Sequence, residues 1–355
     1  MTRTAFISDL HLSTEASFEG EHPYADMNPA RIIRLVQFLN YVRKEKLADE
    51  LVLLGDILDC WLAPHDILPP TAYEVLTAPP NRPAILALEA VIKDGIQVTV
   101  VPGNHDISAK SGVYWTSSVS DVCAAMRLIG CVSQDSWSLF QPKTHMAIVA
   151  AHHGHEHALF NGPDPKKRPP LGQWITRLAT TLTKRTGQCF PSPGSMLMST
   201  PNALMKLAKR GIPSSVWQAV VAAAGVLPAD VIRMPWPVSN TEEPADSGAL
   251  VKTVGESYAS LYADRNSTLE DVLAEFDPFH SSFIGPEVVS IMGHSHAHAF
   301  SILDEGQLCY INVGAWCTDN ETCYAIVQTD DNVCGAGLYR WTDHSEIINS
   351  YSFAL

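Results

Sequence analysis

Several things are scarce or missing in this chain of 355 residues. No apolar run approaches the roughly 20 residues that a bilayer-spanning helix needs, so no helical membrane span is expected. The opening stretch, "MTRTAFISDLHL", lacks the long apolar segment and small-residue cleavage site of an export signal. A cytoplasmic protein is therefore expected. The eight cysteines (Cys60, Cys123, Cys131, Cys189, Cys309, Cys317, Cys323, Cys334) form no CxxC pair. Reduced, buried thiols are the expectation, with a disulfide between neighbours in the C-terminal sheet as the alternative. Internal repeats are absent, as are low-complexity tracts beyond proline-rich joints such as "RMPWPV". Basic residues are few, 24 Lys and Arg against 38 Asp and Glu, for a net charge of −14. That balance argues against general nucleic-acid binding. Charged residues make up 17% and hydrophobic residues 46% of the chain, which excludes a disordered polymer and fits a globular enzyme.

What is present is an alternation of short apolar runs and helical patterns. The runs at 4–8 ("TAFIS"), 51–55 ("LVLLG") and 97–101 ("QVTVV") read as strands. Between them lie helical stretches at "PARIIRLVQFLNYVRKEK" and "AILALEAVIKD", with a proline-rich loop over 63–83. This is the pattern of an α/β sheet with crossover helices. A helix at "VSDVCAAMRLIG" then leads to strands at "SWSLF" and "HMAIVAA". The strand pattern resumes at "VVSIM", followed by "AFSIL", "LCYINV", "CYAIVQ" and "GLYRW". The core is thus expected over 1–156 and 288–355, with 157–287 as an inserted, largely helical lid. The insertion also differs in charge. Residues 157–240 hold ten Lys and Arg against two acids, a net of +8, which leaves −22 for the remainder.

Polar residues recur at one kind of place, the loop just after a strand. Asp9 and His11 follow the first, and Gly55, Asp56 and Asp59 follow the second. Gly103, Asn104, His105 and Asp106 follow the third, His152 and His153 follow "AIVAA", and His294 and His296 follow "VVSIM". Ligands of α/β sheets bind at the carboxyl ends of strands. Mixed nitrogen and oxygen donors suit Mn²⁺, Fe or Zn²⁺. Each element alone is weak: "GD" can be a mere turn, "GNHD" an Asx-turn with a left-handed glycine, and Asp59 a helix cap. Five such loops in this order are a strong signal.

The series resembles the calcineurin-like metallophosphoesterases. The resemblance covers about 1–156 and 288–355, and implies a four-layered α/β/β/α sandwich that hydrolyses phosphate esters with two divalent ions. It implies that Asp9, His11 and His296 hold one ion and that Asn104, His153 and His294 hold the other, with Asp56 bridging. His152 is the fallback for His153. It further implies attack on phosphorus by a metal-bound water or hydroxide. His105 would contact the phosphate or protonate the leaving oxygen, and Asp59 would orient it. His298 is expected not to be a ligand.

Local features are similar to those of UDP-2,3-diacylglucosamine pyrophosphohydrolases and their relatives: the "FISDLHL" start, the tryptophan in "GDILDCW", and "VGAW" near the end. Those enzymes carry Arg where this chain has His105, and a shorter insertion. In the insertion, Trp174, Ile175, Leu178 and Leu182 share a helical stripe with Arg177, Lys184 and Arg185 beside it. Its bland reading is a helix packed on the core. The functional one is a cover that grips a phosphorylated small-molecule or lipid-linked substrate, with Arg177 and His155 binding it and peripheral contact with a membrane surface. Alternative activities are a cyclic-nucleotide phosphodiesterase, a nuclease or a phosphoprotein phosphatase. A non-catalytic scaffold on the same fold is less favoured, because every ligand position holds a competent residue.

Overall fold

The computed structural model describes residues 2–14, 29–106, 121–141, 144–155, 161, 171–186, 231–235, 242–246, 287–303, 306–317, 321–330 and 332–355. Two sheets dominate. The first contains β1 (Thr2–Ile7), β2 (Glu50–Leu54), β3 (Gln97–Val101), β4 (Val132–Ser133), β12 (Thr322–Thr329), β13 (Val333–Trp341) and β14 (Ser345–Ala354), in the order β14-β13-β12-β1-β2-β3-β4. Strands β1 to β4 are parallel, whereas β12 to β14 form an antiparallel wing. The second sheet contains β5 (Trp137–Phe140), β6 (Ala147–Ala151), β9 (Val289–Met292), β10 (His298–Leu303) and β11 (Leu308–Val313), in the order β10-β11-β9-β6-β5. Its three central strands are parallel.

The continuous apolar runs of β1 and β2 follow from burial of both faces. Ala5, Ile7, Leu51 and Leu53 face a helical layer, where they pack with Ile32, Phe38 and Leu39 of α1 (Pro29–Lys44) and Ala84, Leu88 and Val91 of α3 (Arg82–Lys93). Val122 and Met126 of α4 (Asp121–Leu128) join the same core. Phe6, Val52 and Leu54 point the other way and meet Val149, Val289, Ile291 and Ile311 of the second sheet. Phe6 packs edge-on against Trp137, ring centroids 5.0 Å apart. The described layers are therefore α/β/β. On the outer face of the second sheet Met292, Ala299 and Tyr310 are buried, and the fourth layer of the expected sandwich lies outside the described residues.

Several elements depart from the sequence reading. The proline-rich loop contains a short helix, α2 (Ala72–Thr77), started by a reciprocal capping box between Thr71 and Glu74. Strand β14 extends the sheet although most of its residues are exposed. In the insertion, the described elements are α5 (Leu171–Thr186) and a ribbon of β7 (Val231–Pro235) with β8 (Glu242–Asp246), which pair only with each other. The helices expected at "NALMKLAKR" and "SSVWQAVVAAAG" lie outside the described residues. So does Cys189; the other seven cysteines are buried.

Phe6 tests the two-sheet core. Phe6→Ala should lower unfolding stability by about 3–5 kcal/mol, read by urea denaturation. A change below about 1 kcal/mol would contradict the packing of one sheet on the other.

Candidate metal centre

The parallel strands β1, β2 and β3 end side by side, and backbone bonds lace the loops that follow. Asp9 donates its N–H to Gly55 O (3.0 Å), His11 to Asp56 O (2.9 Å) and Asp59 to Leu12 O (2.7 Å). Gly293 donates to His153 O at 3.1 Å, which ties the loops of the second sheet together. The chain turns sharply there. Asp9, His11, Asp56, His294 and His296 all have positive φ, between 45° and 66°. Such left-handed residues cost on the order of 1–3 kcal/mol each. His294 and His296 therefore do not sit on an extended segment, as simple alternation would have them. The close approach also explains two glycines. A Cβ at Gly103 would stand 2.2 Å from Asp56 Oδ1, and one at Gly293 would stand 2.0 Å from Ser8 Oγ. Gly103 is thus a close-contact glycine and not a left-handed one.

The loops gather four fully or almost fully buried carboxylates. Asp9 Oδ2 accepts from the Ser8 hydroxyl (2.6 Å) and from His294 N (3.0 Å), while Oδ1 lies 3.1 Å from His296 Nε2 and 3.7 Å from His11 Nε2. Asp56 Oδ1 accepts from His105 N at 2.8 Å. Its Oδ2 stands between two imidazoles, 3.6 Å from His11 Nε2 and 3.2 Å from His153 Nε2. Of the pair His152 and His153, it is His153 whose ring meets Asp56. Asp106 spends both oxygens on the backbone, accepting from Ile57 N, Leu58 N and Gly103 N, each at 2.9 Å. It braces the loops.

Asp59 joins two histidines. Its Oδ1 accepts from Trp61 N and Leu62 N (2.9 and 3.0 Å), so it does act as a turn cap. Its Oδ2 accepts from His11 Nδ1 at 2.6 Å and from His105 Nδ1 at 2.8 Å. The link to His11 was not visible in the sequence. It fixes the His11 tautomer with Nε2 as the ring's donor atom. His153 is oriented the same way, with Nδ1 donating to Leu54 O at 2.9 Å. His105 is held between the carboxylate and the Trp61 ring, which stacks on it at 4.3 Å.

Charge follows this geometry. Burial pushes the Asp59 carboxyl up, but His105 and His11 beside it outweigh that and hold it well below the usual range. Burial likewise opposes charge on His153, yet Asp56 and Asp9 outweigh it and raise the imidazole pKa to about 10. Burial, and after it the neighbouring His153, pushes the His294 imidazole well below its usual pKa.

Ligand atoms of Asp56, His153 and His294 lie within 4.8 Å of one another, as do those of His11, His296 and Cys317, and those of His11, Asp56 and His105. Asp9 Oδ1, His153 Nε2 and both amide atoms of Asn104 are buried without a hydrogen-bond partner. Orphaned donors of this kind, converging with carboxylates and imidazoles, fit divalent cations.

Other expected residues are placed as follows. His155 is buried, its ring 5.4 Å from that of His153. His298 begins β10 and faces Glu321 at 3.6 Å. Arg177, expected to grip substrate, is a fully buried residue of α5 and donates to Ala63 O (2.7 Å), Pro64 O (2.6 Å) and Ile67 O. Those carbonyls engage its guanidinium in holding the loop after Trp61, and burial lowers its pKa to about 9. Leu178 and Leu182 are buried as well. Asn161 was missed by the sequence reading: its amide lies 3.5 Å from His294 Nε2 and against Gly172 at the start of α5.

Residues 2–175 match the family model of calcineurin-like phosphoesterases. No curated protein sequence matches the chain. Among solved structures, it is similar to a predicted phosphoesterase from Streptococcus pneumoniae TIGR4, at 12% identity and TM-score 0.31, over 100% of this chain and 98% of that one. A dimetal phosphatase from Danio rerio gives 15% identity and TM-score 0.36, over 98% of each chain. Vacuolar Protein Sorting 29 from Cryptosporidium parvum gives 9% and 0.35, over 100% of this chain and 98% of that one. Overlaps of this size carry no argument about activity.

Asp59 provides the test of the site's construction. If the cluster holds a divalent ion, Asp59→Asn should weaken its binding by about 10–100-fold, the usual loss when a ligand histidine loses its carboxylate partner. Calorimetric titration that returned the wild-type affinity would contradict the coupling.

Proposed function

The chain belongs, through residues 2–175, to the calcineurin-like phosphoesterases, and from that premise we propose that it is a dinuclear-metal phosphohydrolase. Asp9, His11 and His296 would hold one ion, and Asn104, His153 and His294 the other, with Asp56 between them. The observation that carries this reading is the convergence of the unpartnered Asn104 amide with buried Asp9 Oδ1 and His153 Nε2 around a carboxylate that faces two imidazoles. Two divalent ions, when bound, supply the Lewis acidity that activates water and neutralises phosphoryl oxygens.

The chain's own residues do the rest. With Nδ1 donating to Asp59, His105 keeps Nε2 for the leaving-group oxygen, and the Asp59 carboxylate stabilises the charged imidazolium. Trp61 stacked on the ring limits its swing. The proposed substrate is a phosphate ester or pyrophosphate of a small or lipid-linked molecule. The +8 balance of residues 157–240 supports an anion-gripping cover over the site, in contact with a membrane surface, in a cytoplasmic protein. The metals are Mn²⁺, Fe or Zn²⁺. Nucleic acid is disfavoured as a substrate by the −22 carried elsewhere.

A panel of monoesters, diesters and pyrophosphates with Mn²⁺ tests the reading. Turnover on at least one class with two ions per chain is expected. No turnover, and no metal after reloading, would favour a scaffold. His105→Ala should retain both ions while kcat falls about 10²–10⁴-fold. Wild-type turnover, or loss of an ion, would remove His105 from its assigned role.

A further inference from the structure

Cys317 lies outside the ligand series that the sequence suggests, yet its Sγ lies within 4.8 Å of ligand nitrogens of His11 and His296. The side chain is fully buried, packed with Leu62 and Ala315. Six other described cysteines are buried too (Cys60, Cys123, Cys131, Cys309, Cys323, Cys334). Among the described residues, Cys317 is the cysteine that meets two imidazoles. Asp9 Oδ1 points to the same place, buried without a hydrogen-bond partner and 3.1 Å from His296 Nε2.

The backbone holds Cys317 there. Its N–H donates to Asp9 O at 3.0 Å, and that of Trp316 donates to the same oxygen at 3.1 Å. Trp316 Nε1 is pinned to Cys323 O at 2.9 Å. Asn312 donates to Gly293 O (2.8 Å) and accepts from Gly314 N (3.0 Å), which ties this segment to the loop of His294 and His296. The cysteine is thus fastened to the two loops that present Asp9 and His296.

We propose that Cys317 is a sulfur ligand to the ion held by Asp9, His11 and His296, and that it makes this position prefer Zn²⁺ over Mn²⁺. The inference rests on the dinuclear reading above. Donor atoms this close need draw in only slightly to close on one ion, whose bonds run about 2.0–2.3 Å. On binding, the S–H bond breaks, the proton leaves to solvent, and a sulfur lone pair forms the bond to the ion. Thiolate favours Zn²⁺, whereas Asn104, His153 and His294 offer only nitrogen and oxygen. The two positions differ in softness, with the sulfur on one side of Asp56 alone.

Cobalt substitution tests this in the full chain. Co²⁺-loaded protein should show a thiolate-to-cobalt charge-transfer band in the near ultraviolet. Cys317→Ser should lose that band while retaining two Co²⁺ per chain, and its Zn²⁺ affinity relative to Mn²⁺ should fall on the order of tenfold. Bound cobalt without the band in the unmodified protein would overturn the sulfur ligand and leave the dinuclear reading intact. A band that survives in Cys317→Ser would do the same. Failure of the unmodified protein to bind cobalt at all would overturn the dinuclear reading itself, and the sulfur ligand with it. The unmodified protein's spectrum decides the matter if neither Cys317→Ser nor Cys317→Ala folds.

Discussion

Four carboxylates, Asp9, Asp56, Asp59 and Asp106, are buried together where three parallel strands end, and the rest of the site answers to their charge. Buried carboxylates need partners, since an unpaired charge in a low-dielectric interior is costly. Asp106 satisfies itself on three backbone N–H groups. The other three each spend one oxygen on backbone or hydroxyl donors and turn the second toward imidazoles. That division makes Asp106 a brace and Asp59 an anchor for two histidines, and it leaves Asp9 and Asp56 as the carboxylates that would hold cations under the proposed reading.

The geometry is held by construction and not by local preference. Five of the site's residues stand in left-handed conformations, which no isolated loop of Asp and His would favour. They persist because neighbouring loops share hydrogen bonds and because Gly103 and Gly293 let the backbone press against Asp56 and Ser8. The two sheets supply the rigidity: burial on both faces of β1 and β2 fixes where each loop begins. Function and fold are therefore coupled through a few backbone contacts at the strand ends.

Much of this was readable from the sequence for a physical reason. Strands buried on both faces appear as plain apolar runs, and donors placed directly after them stay close in number to those runs. The reading failed where a partner is distant in the chain. Nothing near Cys317 announces His11 or His296, and nothing near Asn161 announces His294. The family resemblance paired Asp59 with His105, but the bond to His11, about as far along the chain, had no such guide. Arg177 looked like a phosphate grip because charge on a helix says nothing about which carbonyls lie beneath it. The α2 helix was hidden by flanking prolines, although its Thr71 and Glu74 capping pair was there to see. Strand β14 sets only Tyr351 and Phe353 against the core and exposes most of its other residues, so its periodic trace is short.

The central claim is that the cluster holds two cations on either side of Asp56. Anomalous diffraction from crystals grown with Mn²⁺ tests it most directly. The account predicts two peaks about 3.5–4 Å apart, one beside Asp9, His11 and His296 and the other beside Asn104, His153 and His294, with Asp56 touching both. A single peak, or peaks that leave Asp56 on the outside, would contradict it.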